Sequence, residues 1–157
     1  MSLLKFVARG RITAKGLLRC RQLISGALGF VKPKVLVVDD EEFFRKIVAL
    51  GFEKEGFSIV QADNGVDAIR LAREEIPDLI ILDLVMPGLL GFEVCLALRQ
   101  ENRFEKTAIV IMSAKSYKPD IEKAKELGAD AYLVKPVEFE EILRISREQM
   151  NKRANLA

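Results

Sequence analysis

Histidine is missing from all 157 residues, and several kinds of chemistry go with it. Ser/His/Asp and Cys/His nucleophile activation both need an imidazole base, so this chain alone can run neither. Zinc centres lean on the same side chain, which leaves a zinc site without its usual ligands. Any phosphohistidine involved must reside on a second protein. Cysteine is scarce: Cys20 and Cys95 stand far apart and in no metal-binding spacing. That excludes a disulfide framework and fits a reducing, cytoplasmic setting. No glycine-rich phosphate loop follows any apolar run, which argues against a nucleotide or flavin binder.

The net charge of +2 hides two unlike regions. Residues 1 to 32 carry seven of the 25 basic residues and no acid, leaving 18 basic against 23 acidic residues beyond them, a net of −5. An acidic remainder argues against direct nucleic-acid binding, because neutralising phosphates takes clustered Lys and Arg. Within the basic segment Leu17, Cys20, Ile24, Ala27 or Leu28, and Val31 recur at helical spacing. A short basic amphipathic helix could therefore contact an anionic membrane surface or a partner. The alternatives are a poorly ordered extension or residues translated from a start upstream of the true one. The longest uncharged run there, Gln22 to Val31, is ten residues, about half of what a bilayer-spanning helix needs. Arginines are scattered through the segment instead of preceding an apolar block, unlike a signal peptide.

From Lys34 onward the chain alternates regularly. Continuous apolar runs at Val35–Val38, Leu79–Leu82 and Ala108–Met112 are too short for helices and read as strands of a parallel sheet buried on both faces. Ser58–Ala62 is more polar, as an edge strand should be, and Ala131–Val134 completes five. Helical patterns lie between and after them. Phe44, Ile47, Val48 and Gly51 share one face; Asn64 caps a helix that buries Ala68, Ile69 and Ala72 and is closed by Pro77. Phe92, Cys95, Leu96 and Arg99 mark a third, Pro119 to Leu127 a fourth, and Phe139, Ile142, Leu143, Ser146 and Met150 a fifth. Strict alternation of strand and helix predicts an α/β fold, a doubly wound five-stranded parallel sheet with five helices on its two faces. The boundaries read as a basic extension over 1–32, one domain over 33–151 and a tail over 152–157.

The polar residues gather at the strand ends. Asp39 and Asp40 follow the first strand, Asp83 ends the third, Ser113 the fourth, and Lys135 the fifth. If these strands adjoin, the side chains meet at the carboxyl edge of the sheet, where open α/β folds place their sites. A carboxylate pair about 4 Å apart costs on the order of 4 kcal/mol at an effective dielectric of about 20, so a cation should compensate. Mg²⁺ with two or three such carboxylates suits this oxygen-only set better than zinc. With Lys135 beside it, Asp83 could accept a phosphoryl group as an aspartyl phosphate, and Ser113 could hydrogen-bond a phosphoryl oxygen.

These residues, with Met86-Pro87-Gly88, Gly91, Ala114, Tyr132 and Pro136, resemble the response-regulator receiver domain of bacterial two-component signalling, over about Lys34 to Met150. The resemblance implies a flavodoxin-like strand order, 2-1-3-4-5. It makes Asp83 the phosphoacceptor, Asp39 and Asp40 its partners at Mg²⁺, Lys135 the phosphoryl-binding lysine, and Ser113 with Tyr132 a switch pair. It also implies a sensor histidine kinase or histidine phosphotransfer protein as donor, and a downstream target docking on the fourth helix, fifth strand and fifth helix, with Lys118, Ile121, Lys125 and Tyr132. On this reading the chain is a single-domain phosphorelay component that catalyses its own transfer and hydrolysis and is not a conventional enzyme. Leu90 replaces an acid frequent in the family, Ser113 replaces the commoner Thr, and Val85 occupies a position that tunes phosphoryl lifetime. Val85 also stands where a haloacid-dehalogenase-type phosphatase needs a second acid. The remaining rival is a phosphorylation-independent interaction module on the same scaffold.

Overall fold

The computed structural model describes residues 32–156. The amphipathic-helix and membrane-surface expectations for the basic segment fall on residues 1–31, outside the described residues. Five strands form, β1 (Lys34–Val38), β2 (Ser58–Ala62), β3 (Leu79–Asp83), β4 (Ala108–Ser113) and β5 (Ala131–Val134). The helices are α1 (Glu42–Lys54), α2 (Gly65–Glu75), α3 (Gly91–Arg99), α4 (Lys118–Glu126) and α5 (Phe139–Ala154), with a 3₁₀ turn at Asn102–Phe104. All neighbouring strands pair in parallel, in the order β2-β1-β3-β4-β5. A helical crossover joins each strand to the next, which is what permits a parallel sheet.

Alternation along each strand sends its side chains into two apolar layers. Leu36, Val38, Ile80, Leu82, Ile109 and Ile111 pack with Ala68 and Ala72 of α2, Phe92, Val94, Cys95 and Leu98 of α3 and Ala124 of α4. Val35, Val37, Leu79, Ile81, Val110 and Met112 pack on the other side with Val48 and Phe52 of α1 and Ile142 of α5. Every residue of β3 and β4 is buried, matching their uninterrupted apolar sequences. A side chain of this kind contributes about 1.5–3 kcal/mol when fully buried.

The helix faces differ in detail from the pattern read in the sequence. In α1 the buried positions are Val48, Ala49 and Phe52, whereas Ile47 is 47% exposed. The i, i+4, i+8 line of Phe44, Val48 and Phe52 faces the sheet, and Ile47 falls outside it together with Phe43 and Leu50. In α3, Val94 and Leu98 are buried beside Cys95, and Leu96 is exposed. The Asn64 cap stands: its side-chain oxygen accepts the Asp67 N–H at 2.9 Å. In α4 a single residue, Ala124, is buried. The last helix continues to Ala154, beyond the boundary at 151, and Arg153 in its final turn donates to Asp130 at 2.7 Å.

Candidate functional site

Since β1, β3, β4 and β5 adjoin, Asp39, Asp83, Ser113 and Lys135 come to one stretch of the carboxyl edge. Local hydrogen bonds aim each of them. Asp39, just past β1, accepts the Glu41 N–H on Oδ1 at 2.9 Å, and its carbonyl accepts from the Arg45 guanidinium at 2.6 Å. Those bonds turn the chain into α1. Asp83 accepts the Val85 N–H on Oδ2 at 2.9 Å. The chain then turns at Pro87 and Gly88, whose φ of +80° suits glycine. Gly91 opens α3 so close to β3 that an added Cβ would lie 2.3 Å from the Asp83 carbonyl oxygen. Only glycine lets α3 start against the backbone of the candidate acceptor.

Lys135 ties the two sides together. Its Nζ donates to Asp39 Oδ2 at 2.6 Å and lies 3.2 Å from Asp83 Oδ1. Both carboxylates are buried, at 3% and 6% exposure. Burial pushes the Asp83 carboxyl above its ordinary value, with Lys135 working against that and Asp39 adding to it. Burial opposes the Lys135 ammonium, but the hydrogen bond and charge of Asp39 and the charge of Asp83 outweigh it, and its pKa is raised. The repulsion between the buried acids is thus met first by a lysine.

Asp40 does not join them; it is exposed beside the pair. Among the described residues no three acidic or thiol groups are gathered closely enough to hold a metal ion. The donor set still suits Mg²⁺ in kind, being all carboxylate oxygen, and two of its three members converge.

Ser113 is fully buried and accepts the Lys115 N–H on Oγ at 3.2 Å. The Tyr132 hydroxyl donates to the Lys115 carbonyl at 2.8 Å. Burial raises the Tyr132 phenol above its usual pKa. The two residues named as a switch pair therefore hold the same Lys115 residue, at its N–H and at its carbonyl.

A family model described as the response regulator receiver domain matches residues 35–147. The chain belongs to that family. Protein PilH of Pseudomonas aeruginosa is 35% identical to this receiver over 111 residues, which cover 71% of this chain and 92% of that protein. The alkaline phosphatase synthesis transcriptional regulatory protein PhoP of Bacillus subtilis is 39% identical over 109 residues, 69% of this chain and 45% of its own. The transcriptional regulatory protein AfsQ1 of Streptomyces coelicolor is 37% identical over 106 residues, 68% of this chain and 46% of its own. The receiver thus spans about half the length of the transcriptional regulators it matches. Among solved structures, the Vibrio cholerae chemotaxis protein CheY4 superposes with a TM-score of 0.72 at 29% identity, over 76% of this chain and 99% of that one. This is a receiver domain of two-component signalling, a class of domain that interacts with histidine kinases and downstream effectors. Among its described residues no helix is long and apolar enough to cross a membrane.

Two residues at this edge escaped the sequence reading. Arg45 was not singled out, and Phe44 was read as core-facing only. The Phe44 ring also lies under the Lys135 ammonium, with 4.1 Å from Nζ to the centroid. Its place in the first turn of the helix after the acidic pair is the signal that could have found it.

Proposed function

We propose that this receiver accepts a phosphoryl group on Asp83 from a phosphohistidine of a sensor histidine kinase or histidine phosphotransfer protein in the cytoplasm, and that the aspartyl phosphate alters a surface on which a downstream target protein docks. The observation that carries this reading is the Lys135 ammonium spanning two buried carboxylates at adjacent strand ends. These 157 residues hold no histidine, so the phosphohistidine lies outside them. A carboxylate oxygen of Asp83 attacks phosphorus, an O–P bond forms, the N–P bond to imidazole breaks, and the imidazole leaves with a proton. Lys135, already 3.2 Å from Asp83, is placed to pair with the new phosphoryl oxygens. Asp39, Asp40 and Asp83 are the carboxylates that would hold Mg²⁺, which when bound offsets charge on the transferring oxygens. Ser113 has a hydroxyl hydrogen to donate to a phosphoryl oxygen. Moving toward it loosens the hold on the Lys115 N–H, and Tyr132, bonded to the same residue, is released to turn. Water attack on phosphorus later returns the carboxylate and inorganic phosphate. One acceptance and one hydrolysis per signal make this a phosphoacceptor, not a conventional enzyme. With a net charge of −5 beyond residue 32, direct nucleic-acid contact is no part of the reading.

Intact mass after incubation with acetyl phosphate tests it. The expected result is a gain of one phosphoryl group with Mg²⁺ and none without. A folded chain that gains nothing, and that beryllofluoride with Mg²⁺ leaves spectroscopically unchanged, sinks the reading and favours an interaction module independent of phosphorylation.

A further inference from the structure

Three groups surround the Lys135 ammonium: Asp39 Oδ2 at 2.6 Å, Asp83 Oδ1 at 3.2 Å, and the face of the Phe44 ring, its centroid 4.1 Å away. The carboxylates have evident parts in the site; the ring has none assigned. An aromatic face attracts a cation through its quadrupole, and more strongly where water is scarce. The Lys135 side chain is 17% exposed, so water is scarce here. A ring also differs from any oxygen partner in having no lone pair. It holds the ammonium without a hydrogen-bond acceptor that would compete with a phosphoryl oxygen for the three N–H donors.

The ring is itself fixed. Phe44 sits in the first turn of α1, a turn set by the bonds of Asp39 to the Glu41 N–H and the Arg45 guanidinium. Its side chain is half-buried and packs against the apolar layer shared by α1 and α5. The segment that orients Asp39 therefore orients Phe44 as well. Lysine carries four rotatable methylenes and gains most from such a hold, because its freedom is restricted before the phosphoryl group arrives.

We infer that Phe44 is a positioning residue for phosphoryl acceptance, holding the Lys135 ammonium against its ring face within reach of Asp83. This rests on the reading of Lys135 as the phosphoryl-binding lysine. It assigns no direct contact between Phe44 and the phosphoryl group.

The test compares wild type with Phe44→Leu and Phe44→Met, which keep apolar bulk, and with Phe44→Tyr and Phe44→Trp, which keep the ring. Two quantities are measured: the proton chemical shift of the Lys135 ε-methylene, and the rate of phosphorylation by acetyl phosphate with Mg²⁺. In wild type the ring current should move the ε-methylene protons upfield. The aliphatic variants should lose that shift and slow about tenfold at unchanged melting temperature, the loss expected for a partly desolvated cation–π contact. The aromatic variants should retain both. No upfield shift in wild type overturns the contact. A wild-type rate in a folded aliphatic variant that has lost the shift overturns the positioning role and leaves the phosphoacceptor reading intact. No adduct in wild type together with no spectroscopic response to beryllofluoride and Mg²⁺, whatever the shift, overturns the phosphoacceptor reading and this inference with it. If Leu fails to fold, Met supplies the aliphatic arm.

Discussion

Replacing Asp83 with asparagine is expected to raise the melting temperature at pH 7 while ending phosphoryl acceptance altogether. The loss is direct, since an amide offers no anionic oxygen to attack phosphorus. The gain follows from the charges on the edge. Asp39 and Asp83 are both buried and share one ammonium, so one negative charge goes uncompensated among these groups. Burial raises the Asp83 pKa above its ordinary 3.8, which means the folded state holds the proton more tightly than the unfolded chain does. Stability from this group is therefore fully present below 3.8 and is lost as pH rises through the raised value. Above that range a carboxyl at this position is a net burden, and neutral asparagine removes it while Lys135 keeps Asp39 as a partner. A gain of about 1 kcal/mol, or roughly 3–6 °C, is in the range of single stabilising substitutions. Thermal melts of both proteins from pH 8 down to 4 check this: the difference should narrow as pH falls. An asparagine variant that melts below wild type at pH 7 would show that the Asp83–Lys135 attraction outweighs desolvation.

The opposite outcome is expected at the other end of the sheet, where Asp130→Ala should cost about 3–5 kcal/mol, the loss typical when a buried charge is left without its partner. Asp130 Oδ2 accepts from the Arg99 guanidinium at 2.8 Å and from the Ile109 N–H at 2.8 Å. Its Oδ1 accepts from Arg153 at 2.7 Å. Arg99 also donates to the carbonyls of Gly128, Phe104 and Thr107. Burial pulls the Arg99 pKa down and Asp130 counters it. Without the carboxylate, a half-buried guanidinium stays fixed among carbonyls with no opposite charge, and a strand N–H loses its acceptor. Total stabilities of such domains are about 5–15 kcal/mol, so a large part would go. Urea unfolding should show a lower midpoint at an unchanged slope. A shift worth less than about 1 kcal/mol would mean the junction is solvated enough to do without Asp130.

The two ends of the sheet were not equally legible in the sequence. At the carboxyl edge, Asp39, Asp83 and Ser113 each close a continuous apolar run, so their burial and alignment followed from strand periodicity and from β1, β3 and β4 adjoining. What was not legible was which cation answers the carboxylates. Charge repulsion pointed to a metal, but Lys135 and Asp39 are 96 residues apart, and no local period reports a contact at that separation. Asp40 illustrates the same gap: it is exposed where its neighbour Asp39 is buried, a difference that the apolar run before them does not report. The amino edge was nearly silent. Arg99 was placed on the inward face of its helix, but nothing in the spacing joined it to Asp130 or Asp130 to Arg153, and the chain after 151 read as a tail. Ile47 and Leu96 went astray for a simpler reason, since both lie where a helical stripe meets solvent and packing against the sheet decides the matter.

The single buried residue of α4 bears on time as well as on packing. Ala124 is its one buried side chain, with Ile121 half-buried beside it, whereas α1 buries Val48, Ala49 and Phe52. With so little apolar side chain fully buried, α4 can detach locally at lower cost than global unfolding. Its amide hydrogens should exchange with deuterium orders of magnitude faster than those of β3 and β4; equal protection would mean that α4 opens only with the whole domain. Between Ser113 and this helix the chain is held by the two hydrogen bonds to Lys115. The receiver thus places a readily opened helix a few residues after the one that would sense the phosphoryl group.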